Sequence, residues 1–464
     1  MSIASGGSAT GPWTAAALAA TIPDRSAAGI AATVNRLIST GRLGHGERLP
    51  TVRDLAAALG TSPATVAEAW RALKQAGAIV PRGRAGSFVD TPTRWMSRYR
   101  EMPAAPRAQL TLDLSTGVPD PALLPDVGPA LGRVSRRATT SNYLDPAVLP
   151  PLEARLRADW PYDVQALTVV DGALDGLERV LRLTVRLGDH VLVEHPAFPP
   201  LLDLLDGLGA VVVPVELDAR GPRPSSLTER LAQLRPARPV AMVLQPRAHN
   251  PTGASLTPAR AGALARILRR DGGDVLVVED DHSGAIAAAP DVSLGRWLPE
   301  RTVHVRSFSK SHGPDLRLAA LGGPRDVVTA VERQRRLGPG WTSRMLQEVL
   351  LDLLTETVAV EAVRNAGRVY ARRRSGLAQA LLEHGVRVAP GDGLAMWLPV
   401  ADERRAVVTL AGAGVGVTPG APFHACPDGG CLEVGGRVRL TIGTLPDDAA
   451  QVGELARLVA AAAS

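Results

Sequence analysis

From residue 113 onward the chain repeats one pattern, a short apolar run rich in β-branched residues, then a polar turn, then a helical stretch. Val169-Val170 precede "DGALDGLERVLRL". The segments "DHVLVEHPAF", "AVVVPVEL", "PVAMVLQP", "DVLVVEDD" and "RTVHVRSFSK" are further runs of the same kind. Such alternation predicts an α/β domain around a largely parallel sheet. Ligands in these folds sit at the carboxyl ends of the strands. The residues just after each run are therefore the candidate site: "QPRAHNPTG" at 245–253, "VEDDHSG" at 278–284 and "SFSKSHGPDLRL" at 307–318.

The third segment contains Lys310. Of 52 Lys plus Arg, only Lys74 and Lys310 are lysine. Arginine serves wherever a plain positive charge is enough, but it does not lose its proton, whereas a buried lysine can become a neutral amine and attack a carbonyl. Lys74 lies on a helix face and reads as a surface charge. Lys310 follows a strand end, near an acidic pair, an asparagine and an arginine. Pyridoxal phosphate chemistry needs that set: a lysine for the imine, a carboxylate for the pyridine nitrogen, and an arginine with backbone amides for the phosphate.

The 464 residues are too many for one core. Residues 1–95 hold ten Lys/Arg against five Asp/Glu, so most of the net charge of +6 sits in the first fifth of the chain. A basic head on a near-neutral body suits a nucleic-acid-binding module. In the head, Ile30, Val34, Leu37 and Ile38 recur at helical spacing up to Gly41. Pro50 and Thr51 open a second helix that carries Leu55 and Leu59 and stops at Gly60. Ser62 and Pro63 start a third helix, with Val66, Ala69, Trp70 and Leu73 as its apolar stripe. The segment "AIVPRGRAGSFVD" reads as two short strands around a basic, glycine-rich tip.

This layout, "GRLGHGERLPTVRDLAAALGTSPATVAEAWRALKQAGAIVPRGRAGSFV", resembles the GntR family of winged helix-turn-helix regulators. The resemblance implies DNA contacts from Arg53, Ser62, Thr65, Arg82, Gly83, Arg84 and Gly86. Hydroxyls and arginines at a helix start suit phosphates and base edges. Pro63 and Ala64 replace the arginine common after the capping serine, and Ala67 stands where a polar contact is common.

The body resembles fold-type I aminotransferases. Joined to the head, the chain resembles MocR/GabR-type regulators over nearly its whole length. The resemblance implies Lys310 as the Schiff-base lysine, Asp280 on the pyridine nitrogen, and Asn250 with His282 at the ring hydroxyl. It implies Phe198 stacked on the ring, Gly172, Ala173, Ser307 and Arg317 at the phosphate, and Tyr143 reaching a partner subunit. Arg439 would grip an effector or substrate carboxylate. The family usually has tyrosine where this chain has His282, and His282 is expected to titrate near neutral pH. Pro200 stands where GABA-sensing members carry an arginine.

The expected organisation is a flexible tail at 1–24, a winged helix-turn-helix at 25–90 and a linker at 91–112. A PLP-binding body at 113–464 would follow, with a large part to about 335 and a smaller α+β part beyond. The implied function is a PLP-dependent transcriptional regulator sensing PLP or an amino compound as a head-to-tail homodimer; the alternative is a working aminotransferase with an accessory DNA-binding head. No apolar run approaches the roughly 20 residues that span a bilayer, and MSIASGGSATGPW lacks the basic start and apolar stretch of a signal peptide. A cytoplasmic location is expected. Cys426 and Cys431 in "CPDGGC", two thiols on one tight loop, could form a bridge or bind metal, but zinc usually takes four ligands and only His424 is nearby; the pair reads as a free-thiol loop.

Overall fold

A computed structural model of the chain describes residues 13–39, 42–44, 46–75, 78–83, 86–89, 110–137, 142–426 and 435–464. The head consists of helices Ala15–Ala19, Ala27–Ser39, Val52–Leu59 and Pro63–Gln75, followed by an antiparallel hairpin of Ile79–Pro81 and Ser87–Val89. Local chemistry sets these boundaries. Thr51 Oγ1 accepts the Asp54 N–H at 3.2 Å, and Gly60 closes the same helix at φ 65°. Ser62 Oγ accepts the Thr65 N–H at 3.1 Å, and Pro63 takes the first helical position, where its missing N–H costs nothing. The apolar stripes of all three longer helices meet in one core with Ile79 and Val89.

The tail expectation is corrected in part. Ala15–Ala19 is helical and capped by Thr14, and Leu18 and Ile22 are buried in the head core. Much of the expected linker lies outside the described residues, as do Gly41 and Gly77.

The body is built on an eight-stranded mixed sheet. Its strand order is Ala166–Val170, Ala319–Gly323, Thr302–Ser307, Leu276–Asp281, Ala241–Leu244, His190–His195, Val211–Asp218 and Gly221–Pro222. The four central strands from Thr302–Ser307 to His190–His195 are parallel. Ala319–Gly323 runs antiparallel to both neighbours, so the sheet is less uniformly parallel than expected. That strand reads "AALGG" and lacks a β-branched signature. Gly322 is required there, because a Cβ would lie 2.7 Å from the Trp160 ring.

A smaller three-stranded sheet pairs Ala395–Val400 with Gly436–Thr441 and the latter with Thr418–Pro419. The helices Thr357–Glu383 and Ala449–Ala463 share its core. The partition differs from the one expected. Helix Arg344–Thr355 belongs to the core of the large part through Val349, Leu350 and Leu353, and Leu114 belongs to the smaller core. Among the described residues no helix is long and apolar enough to cross a membrane.

Candidate functional site

The carboxyl ends of the parallel strands bring the candidate residues together, as the alternation predicted. Asp280 lies one residue before the end of Leu276–Asp281 and pairs in register with Val305. Lys310 follows Thr302–Ser307, Gln245 and Asn250 follow Ala241–Leu244, and Phe198 follows His190–His195. A cavity of about 310 Å³ is lined by Lys310, Asn250, His282, Phe198 and Arg439, together with Gln245 and Gly117.

Lys310 Nζ donates to the Gly117 carbonyl. Burial first, then the nearby Arg439 and Arg317 charges, push the ammonium down to about 8, with Asp280 opposing. A substantial fraction of the amine is therefore neutral near physiological pH, which nucleophilic attack requires. Burial pushes the Asp280 carboxyl up to about 6, a shift that Asp281 reinforces and a hydrogen bond from Gln245 opposes. Asp280 Oδ2 accepts from Gln245 Nε2 at 2.8 Å, while Oδ1 is buried with no hydrogen-bond partner.

His282 differs from expectation. Burial and the Lys310 charge push its imidazole down to about 4, so it is neutral at physiological pH. The expected titration near neutrality is corrected. Its Nε2 lies 3.3 Å from Ser283 Oγ, and Nδ1 is buried with no partner.

Arg439 is buried. Its Nη2 donates to the Ser115 carbonyl and to Thr418 Oγ1 at 3.1 Å, and Nη1 reaches Asn250 Oδ1 at 3.5 Å. Its Cζ lies 5.5 Å from the Phe423 ring centroid.

At the other end of the site, Gly172 (φ 103°) and Ala173 start the helix Ala173–Thr184. A Cβ on Gly172 would lie 2.6 Å from Arg317 Nη2. Arg317 adopts φ 50°, an unusual left-handed conformation for a non-glycine residue, and reaches the Asp171 carbonyl only at 3.4 Å. Ser307, three residues before Lys310, is buried and pairs in register with Ala319, and its Oγ accepts the Ser309 N–H at 3.2 Å. Tyr143 is not brought to the cavity. It is 87% exposed, with its ring 5.8 Å from that of Trp341.

These features fit pyridoxal 5'-phosphate. A buried carboxylate oxygen without a partner suits a protonated ring nitrogen. A helix start with glycine at its mouth and an arginine against it suits a phosphate. A half-buried, part-neutral lysine suits an aldehyde.

In the head, Arg53, Ser62, Arg82 and Gly83 are exposed, and Thr65 and Gly86 half-buried. Ser62 and Thr65 hydroxyls lie 2.8 Å apart, so the capping serine is already engaged within its own helix. Arg82 lies over the Phe88 ring at 5.0 Å, and Gly83 and Gly86 take φ 54° and 104° at the hairpin tip. Arg84 lies outside the described residues.

Sequence reasoning passed over several members of the site. Gln245 stood at the head of a quoted motif, and Glu194 stood in a quoted strand. Arg247, which grips Asp281 with two hydrogen bonds of 2.8 and 2.7 Å, was likewise on view. The free-thiol reading is corrected, because Cys426 is disulfide-bonded. Cys431 lies outside the described residues.

Two family matches cover the chain. Residues 111–455 match "Aminotransferase class I and II", and residues 26–89 match "Bacterial regulatory proteins, gntR family". The chain is 35% identical to the vitamin B6 salvage pathway transcriptional repressor PtsJ of Salmonella typhimurium, over 89% of this chain and 94% of that protein. It is 29% identical to the HTH-type transcriptional regulator TauR of Rhodobacter capsulatus, over 83% and 87% of the two chains. A solved structure of an aspartate aminotransferase tetra mutant from Thermus thermophilus is 26% identical, covers 79% of this chain and 98% of its own, and superposes with a TM-score of 0.65.

Proposed function

Because this chain belongs to the aminotransferase class I and II family and carries a gntR-family regulatory head, we propose that it is a PLP-dependent, DNA-binding transcriptional regulator of the MocR type. The observation that carries the reading is the presence in one chain of a winged helix-turn-helix and a cavity lined by a half-buried lysine, Lys310, together with Asn250, His282 and Arg439. A purely metabolic enzyme has no use for the first, and a simple repressor has no use for the second.

In this reading Lys310 is the attachment point and Asp280 holds the ring nitrogen. Asn250 and His282 meet the ring hydroxyl, and Phe198 stacks on the ring. Gly172, Ala173, Ser307 and Arg317 hold the phosphate. When bound, PLP supplies an electrophilic carbonyl and an electron sink for an amine. The protein supplies the proton balance: Lys310 Nζ is part-neutral at physiological pH, Asp280 offers one free oxygen, and neutral His282 offers an uncharged hydrogen-bonding nitrogen. Arg439 supports recognition of a carboxylate on a small amino compound. That effector biases DNA binding only through a difference in its affinity for two states of the protein.

Arg53, Ser62, Thr65, Arg82, Gly83, Arg84 and Gly86 form the proposed DNA face. The proposed assembly is a head-to-tail homodimer in the cytoplasm. Tyr143, Leu144 and Leu337 are 87%, 91% and 93% exposed, and apolar side chains so placed support cover by a second copy, which would bring Tyr143 to the partner's phosphate site.

The test is DNA binding to the protein's own upstream region, measured with and without PLP, alongside the visible absorption spectrum. A cofactor band together with PLP-dependent retardation is the expected result. Steady keto-acid formation from an amino-acid panel with DNA binding indifferent to PLP would instead support a working aminotransferase.

A further inference from the structure

Gln245 occupies a position that none of the assigned roles uses. It is buried, it lines the cavity, and it makes three hydrogen bonds to three different strand ends or loops. Its backbone N–H donates to Glu194 Oε2 at 2.7 Å. Its side-chain oxygen accepts the Asn250 backbone N–H at 2.7 Å. Its side-chain nitrogen donates to Asp280 Oδ2 at 2.8 Å.

The two ends of the amide are not interchangeable. A backbone N–H can only donate, and a carboxylate can only accept. Turning the amide over would set a carbonyl against the carboxylate and an NH2 against an N–H. The amide orientation is therefore dictated by its partners, and with it the rotation of the Asp280 carboxylate. Oδ2 is taken, and Oδ1 is left as the oxygen without a partner. The charged and titratable groups around this carboxylate are Asp281 on its own strand, His304 on the next, Lys310 and His282 in the following loops, and Glu194 across Gln245. Glu194 in turn lies 3.4 Å from His249 Nε2. The side-chain hydrogen bond to the Asp280 carboxylate comes from the neutral amide of Gln245.

We propose that Gln245 is a positioning residue for the cofactor, one that holds Asp280 and the Asn250 backbone at the two ends of a single amide so that the free Asp280 oxygen meets the ring nitrogen. The proposal rests on the PLP-binding reading above.

The test compares the full-length wild type with Gln245→Leu, which is close in volume and removes both side-chain hydrogen bonds. Two probes are titrated by absorbance: PLP, and its 1-deaza analogue, in which carbon replaces the ring nitrogen. A hydrogen bond to a charged group supports a loss of at least about tenfold in PLP affinity. Loss for the analogue should stay within about threefold, since it offers Asp280 nothing to meet. Apo-protein Tm is recorded for both proteins.

A PLP loss below tenfold overturns the proposal. So does an equal loss for both ligands, which would mark a general loosening of the site. If Gln245→Leu does not fold, Gln245→Glu replaces it. That variant keeps the acceptor for Asn250 and sets a carboxylate where the donor to Asp280 was, and the same selective loss is expected. A wild type that takes up no PLP would overturn the cofactor reading itself, a result distinct from a wild type and variant that bind PLP equally.

Discussion

The head and the body solve the problem of placing a polar group in opposite ways. In the head, the side chains that define the reading bond to neighbours three residues away: Thr51 to Asp54, and Ser62 to Thr65. In the body, Gln245 bonds to Asp280 across 35 positions, Lys310 to Gly117 across 193, and Arg439 to Ser115 across 324. A local arrangement forms with its helix and leaves its functional groups in water. A long-range arrangement exists only once the sheet is assembled, and it buries its groups. Burial is what shifts the pKa values of Lys310, Asp280 and His282.

The sharpest way to break this contrast is Lys310→Ala. Removing the only amine at the strand end should abolish covalent retention of PLP and its visible band, while Tm of the apo protein stays close to wild type; a persisting band would place the attachment elsewhere. Asp280→Ala comes next. Loss of a buried charge facing the ring nitrogen costs about 2 kcal/mol or more, roughly 30-fold or greater in PLP affinity, read by absorbance titration. In the head the effects should be smaller and independent. Arg53→Ala should weaken DNA binding about equally across sequences and lower the salt slope by about 1. Adding Arg82→Ala should be additive to within about 0.5 kcal/mol. Strong coupling between the two arginines would make the head a preorganised site like the body.

The same contrast explains what could be read in advance. The three head helices were legible because caps, a terminal glycine and apolar spacing all lie within a dozen residues. Six body strands were legible from β-branched runs, and the site lay at their ends. The strand Ala319–Gly323 was hidden because its residues are small, one of them held to glycine by the distant Trp160. Lys310 stood out only against its arginine-rich background. Gln245 and Arg247 were in view within a quoted motif, but nothing local announces that one meets Asp280 and the other Asp281. The His282 titration was misjudged for the same reason: an imidazole pKa depends on burial, and burial belongs to the assembled sheet.

Stability against pH offers finer tests of that dependence. His304 lies buried, with Nδ1 hydrogen-bonded to Glu279 at 2.8 Å and Nε2 3.6 Å from Asp281; burial lowers its pKa, but the two carboxylates outweigh burial and leave it raised to about 9. Its folded value exceeds the unfolded one of 6.5. The stability it contributes is therefore complete below pH 6.5 and is lost as pH rises through about 9. Lys310, lowered to about 8, acts with the opposite sign above that pH, so the measurement is a difference. Apo Tm of wild type minus that of His304→Gln should shrink steadily between pH 6.5 and 9. A constant difference would mean that His304 is neutral in the folded protein.

The smallest effect belongs to His282. Its folded value of about 4 lies below 6.5, so the unfolded chain takes up the proton first as pH falls. The stability tied to its neutral form is complete above pH 6.5 and is lost as pH falls toward 4. Carboxylates titrate across the same range, so the difference from a non-titrating variant is again the observable. Apo His282→Gln should lose less Tm than wild type between pH 6.5 and 4.5. With PLP bound, the variant should shift the pH midpoint of the visible band, because it changes the hydrogen bond that neutral His282 offers the ring hydroxyl. An unchanged midpoint would place His282 outside that hydrogen-bond network, and the contrast with the exposed head would narrow at that residue.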